Sequence, residues 1–101
     1  MKFYPLEHLH RLAEGYQQLH QVAGRQVLLL HQDGQSYLFE NRCPHQDASL
    51  EHAHAGAGII RCPVHGFEFK LKNGQAVHQP HMRLTQFTPV YDGKQIGIEL
   101  P

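Results

Sequence analysis

Net charge, long apolar runs and cysteine are all scarce in this sequence. Nine Lys and Arg balance nine Asp and Glu, so the formal charge at pH 7 is +0. No basic face of the kind that tracks a phosphate backbone is implied, and nucleic acid is not an expected partner. The longest purely apolar run is Val27 to Leu30, far short of the roughly 18 residues that span a bilayer, so no membrane association is expected. The opening Met1-Lys2-Phe3-Tyr4-Pro5 is followed by no apolar segment or small-residue cleavage site, which makes the cytoplasm the expected compartment. Two cysteines could form one disulfide. Each has a histidine close behind it, however, and nothing points to an oxidising compartment, so metal ligation is the better first reading.

The 101 residues, 41% of them hydrophobic and 18% charged, suit one ordinary globular domain over 1–101, with no room for a second catalytic unit. Leu6, Leu9, Leu12 and Ala13 recur at helix-like spacing before Gly15, which predicts a short helical turn or entry loop over 5–13. From Tyr16 on, short apolar runs alternate with turn residues. Arg25 to His31 reads as a buried strand, Asp33-Gly34 as a hairpin turn and Ser36 to Glu40 as its partner. Phe67 to Leu71 and Gln75 to His78 flank Asn73-Gly74. Leu84 to Tyr91 and Gln95 to Leu100 flank Asp92-Gly93. Three Asx-Gly turns among short strands predict an all-β antiparallel sandwich or barrel. The stretch 46–58 breaks the strand rhythm and reads as a long loop or an irregular turn of helix, functional because it joins the two Cys/His groups.

That stretch separates two similar groups: Cys43-Pro44-His45 and Cys62-Pro63-Val64-His65. Each offers one thiolate and one imidazole within a turn stiffened by proline. Structural zinc commonly pairs C-x₂₋₄-C with H-x₃₋₅-H, and that pairing is absent. A thiol–imidazole nucleophile has no use for a duplicated arrangement. Two loops with one ligand order suit a two-iron cluster in which the cysteines hold one iron and the histidines the other. A zinc-held structural module is the alternative.

The pattern C-P-H, sixteen residues, C-P-V-H-G resembles the signature of the Rieske family. The likeness extends to Asn41, to Ala48-Ser49-Leu50, to Ile60, to Phe67 and Phe69, to Asn73-Gly74 and to the last strand 96–100. The resemblance implies one [2Fe-2S] cluster on Cys43, His45, Cys62 and His65, in a cluster-binding subdomain of two loops, about 41–69, inserted in a basal β domain. Cys43 and Cys62 would then hold the inner iron, and His45 and His65 the outer. Family members of respiratory complexes carry two further cysteines, where this chain has Ala48 and Val64, and a serine where it has Phe67. Those differences place it nearer the low-potential branch.

The resemblance further implies a soluble ferredoxin, monomeric when free and not itself an enzyme, that passes electrons from a flavin reductase to a ring-hydroxylating oxygenase. A small subunit of an assimilatory nitrite reductase is the alternative. Its partner would dock on His45, Gln46, Val64, His65 and Gly66, with Pro80 covering a third side, and weak salt dependence is expected. His8, His10, His20, His31, His78 and His81 are expected as surface residues, as are His52 and His54. Asp47 and Glu51 read as a solvated loop face.

Overall fold

The computed structural model describes residues 1–44, 47–64 and 66–101. Among them, antiparallel pairing accounts for every sheet contact. Helix among the described residues is confined to one 3₁₀ turn, Leu9–Arg11.

The strands are β1 (Lys2–His8), β2 (Gln17–Val22), β3 (Arg25–Gln32), β4 (Gln35–Glu40), β5 (His54–Gly56), β6 (Ile59–Arg61), β7 (Glu68–Lys70), β8 (Gln86–Phe87), β9 (Val90–Asp92) and β10 (Gln95–Leu100). They form three sheets, ordered β1-β10-β9, β2-β3-β4-β8 and β5-β6-β7.

The β2-β3-β4 meander follows from its turns. Val22 pairs with Arg25 and Gln32 with Gln35. That leaves two-residue loops, Ala23-Gly24 and Asp33-Gly34, whose four φ values are all positive (49°, 79°, 54° and 76°). Two positive φ values in succession give the turn whose twist matches that of the flanking strands.

The apolar run of β3 is buried on both sides. Leu28 and Leu30, with Phe39 of β4, face a core that holds both cysteines, Leu50, Ile60, Phe69 and Leu84. Val27 and Leu29, with Leu38 of β4, face a second core with Ile96, Ile98 and Leu100 of β10. The β3-β4 hairpin is thus a wall shared by two cores, which is why its sequence shows an unbroken apolar run instead of alternation.

Several local expectations give way to tertiary pairing. The segment expected as a short helical turn or entry loop over 5–13 is strand through His8, because β1 pairs along β10 from Lys2–Leu100 to His8–Gln95, and makes its helical turn only at Leu9–Arg11. Pro5 is tolerated there because β1 lies at a sheet edge, where a missing N–H costs least. Within the stretch expected as a long loop, 46–58, residue 46 lies outside the described residues, while His54–Gly56 is a strand that forms a hairpin with Ile59–Arg61 just after it. Its turn, Ala57-Gly58, again has two positive φ values, 52° and 78°.

The expected strand 84–91 splits at Thr88-Pro89. Its first half pairs with β4 and its second with β10, so the chain crosses between sheets. In 75–78 no strand forms; Gln75 and Ala76 make isolated bridges to Arg83 and Phe69. The last turn is Gly93-Lys94, one residue later than expected, with Gln95 opposite Asp92.

Gly97 is required by close approach. A Cβ there would run into the Tyr4 carbonyl and come within 2.9 Å of the Phe3 ring. The β1–β10 seam has no space for a side chain at that point.

Candidate metal centre

Cys43 and Cys62 are both fully buried in the first core, and no disulfide joins them. They open two segments closed by the same hydrogen bond. In the first, the Cys43 N–H donates to the Ala48 carbonyl at 2.8 Å; in the second, the Cys62 N–H donates to the Phe67 carbonyl at 2.7 Å. Each bond closes on the fifth residue after the cysteine.

The fourth residue after each cysteine has positive φ: Asp47 at 55° and Gly66 at 69°. At the described residues, then, the duplication seen in sequence is matched by one closing hydrogen bond and one positive φ in each loop. His45, Gln46 and His65 lie outside the described residues, so the two expected imidazoles are carried by sequence position within these loops.

The scaffold ties each loop down. Asn41 Oδ1 accepts from the Leu50 N–H at 2.6 Å, and its Nδ2 donates to Ser49 Oγ and Gln26 Oε1. Gln17 of β2 donates to the carbonyls of Glu51 and Ala53 at 3.2 and 2.7 Å. The first loop is thus fastened to the meander by side-chain amides at its exit.

The second loop is carried by β6 and β7, where Arg61 pairs with Glu68. Ala48 and Val64, the positions without the additional cysteines, are half-buried against the cysteine core, as is Phe67. A cleft of about 330 Å³ beside the second loop is lined by His54, Arg61, Cys62, Pro63 and Gly66.

The other expected positions behave unevenly. Asp47 and Glu51 are exposed, and so are His52 and His54. His20 and His31 depart from the surface expectation. Both are half-buried, with His20 Nε2 3.0 Å from Tyr16 Oη and His31 Nδ1 2.9 Å from Ser36 Oγ. Arg42 and Arg61, one before each cysteine, had no place in the sequence reading. The repeated Arg-Cys-Pro was the available signal.

Two buried, unbridged thiols at the mouths of duplicate loops are a soft donor set. Thiolate pairs of this kind suit iron–sulfur or zinc binding better than hard cations. The model of the Rieske [2Fe-2S] domain matches residues 2–89.

The chain belongs to the Rieske family. Among curated Rieske relatives, the ferredoxin component of an alkene monooxygenase system from Xanthobacter autotrophicus is 27% identical over 88 residues, covering 86% of this chain and 72% of the relative. The ferredoxin subunit of the 3-phenylpropionate/cinnamic acid dioxygenase of Escherichia coli K12 is 31% identical over 77 residues, covering 74% and 73%. A solved structure, the ferredoxin of carbazole 1,9a-dioxygenase from Nocardioides aromaticivorans, superposes with a TM-score of 0.83 at 24% identity, over 97% of both chains. That likeness establishes the Rieske fold. Among the described residues, no helix is long and apolar enough to cross a membrane.

Proposed function

We propose that the protein is a one-electron carrier of the Rieske ferredoxin type, holding one [2Fe-2S] cluster on Cys43, His45, Cys62 and His65. It passes electrons from a reductase to a terminal oxygenase. The observation that carries this reading is the pair of matching loops, each closed from its cysteine N–H to the fifth residue onward. When bound, a cluster of this type takes up and releases a single electron at a potential that imidazole ligation raises.

This chain's residues supply the rest. Cys43 and Cys62 place their thiols in a core free of solvent, and the Asn41 and Gln17 amides hold the exit of the first loop. Phe67 contributes apolar packing beside the second loop and, having no hydroxyl, offers no side-chain hydrogen bond there. Fewer donors around the sulfurs stabilise an added electron less.

The relatives' names, both ferredoxin components of oxygenase systems, support an electron-transfer role and not a catalytic one. The oxygenase, its reductase and a cytoplasmic location belong to the proposal.

Purified protein should show [2Fe-2S] absorption and, after dithionite, an EPR signal of the mixed histidine–cysteine type. Its midpoint potential should fall at the low end of the Rieske range, about -150 mV. A colourless, EPR-silent protein defeats the assignment. A coloured one with a potential well above zero defeats only its low-potential part.

A further inference from the structure

The two loops match in one more respect, and there they differ in charge. Each cysteine is preceded by an arginine, and each arginine reaches the fifth residue after itself. In the first loop, Arg42 Nε lies 3.4 Å from Asp47 Oδ1, so that cation is balanced. In the second, Gly66 takes the place of Asp47. A Cβ on Gly66 would sit 2.8, 3.1 and 3.3 Å from Nη2, Nε and Cζ of Arg61, so the guanidinium covers this glycine.

Among the described residues no carboxylate lies within 4 Å of the Arg61 charge. Glu68, its partner in the strand register, has its carboxylate 3.8 Å from His78 instead. The second loop therefore carries one unbalanced positive charge, laid on the backbone that follows Cys62.

We propose that Arg61 sets the reduction potential of this protein upward, and that the Arg42–Asp47 pair marks the neutral counterpart of the same device. The inference rests on the electron-carrier reading above. One-electron reduction adds one negative charge to whatever the cysteine loops hold, and a fixed cation on one loop favours that state over the oxidised one. A guanidinium remains charged across the working pH range, so the bias does not vary with pH. Arg61 is exposed, so added salt should weaken the bias.

The test is a spectroelectrochemical titration of the cluster-loaded full chain at low and high ionic strength. Arg61→Gln should lower the ratio of reduced to oxidised protein at a fixed potential at least threefold, about 28 mV at 59 mV per decade for one electron. Arg61→Lys should keep the parent value. Asp47→Asn, which frees Arg42, should move the ratio in the opposite direction. The shifts of Arg61→Gln and Asp47→Asn should both narrow at high salt.

An Arg61→Gln protein with intact cluster absorption and the parent's midpoint at low salt overturns the proposal. Should that variant not retain its cluster, Arg61→Met takes its place, and a midpoint equal to the parent's overturns it again. A parent protein without any [2Fe-2S] absorption overturns the electron-carrier reading itself, and this inference with it.

Discussion

At Asp47 the backbone takes a conformation, φ 55°, that costs an ordinary L-residue roughly 1–2 kcal/mol and that Asp, Asn and Gly tolerate best. The matching position in the second loop is Gly66, φ 69°, where a Cβ would also displace the Arg61 head. Loop shape thus restricts both positions, and charge then distinguishes them. Asp47→Val should lower the stability of the loaded protein by about 1–2 kcal/mol in urea unfolding, whereas Asp47→Gly should leave it within error; equal values for the two would show that the loop relaxes freely.

Cys43 and Cys62 were legible in the sequence because each sits in a local turn whose spacing the chain itself displays. The Arg61 cover was not, since it depends on a long side chain folding back over a loop.

Between elements, one polar contact joins β1 to β2. Tyr16 Oη donates to Glu7 Oε2 at 2.9 Å and lies 3.0 Å from His20 Nε2. With the hydroxyl proton committed to Glu7, the histidine nitrogen is the donor. The His8 backbone N–H holds the Glu7 carboxyl below its ordinary value, assisted by Tyr16 and Arg11 against the effect of burial. Burial lowers His20 in spite of Glu7, and burial with the Glu7 carboxylate raises the Tyr16 phenol.

Both the carboxyl and the imidazole bind protons more weakly in the folded chain than in the unfolded one, so acid favours unfolding. Stability should begin to fall as pH drops through about 6.5, the unfolded histidine's range, and fall further below about 4.5, the carboxyl's. Urea midpoints at pH 7, 5.5 and 4 should show this, and His20→Gln should flatten the upper step; an unchanged upper step would assign it to another group.

This contact was invisible beforehand because 5–13 read as helical. Helix-like leucine spacing competed with pairing to β10, about ninety residues away; the sheet won through His8 and left a helical turn only at Leu9–Arg11. The β5-β6 hairpin escaped for a different reason. Its strands are three residues each and its turn is Ala-Gly, weaker than an Asx-Gly signal. By contrast, β3, β4 and β10 were legible from apolar runs bounded by strong turns.

For the molecule as a whole, the β3-β4 wall carries both cores, so the part that holds the cysteines and the part that holds the terminal strands share one set of backbone hydrogen bonds. The terminal strands lie on the far side of that wall, and Lys2 stands opposite Leu100 in their register. Paired residues of antiparallel strands are only about 5 Å apart.

The order in which the chain is read is therefore separable from the architecture it builds. A circular permutant that links residues 101 and 1 through about four glycines and serines, and opens at the exposed Ala23-Gly24 turn, keeps every strand pair except the closed end of one hairpin. It should display the parent's EPR spectrum and midpoint potential. Loss of the spectrum would show that the β2-β3 turn is needed to assemble the distant cysteine loops, a dependence the contacts themselves do not require.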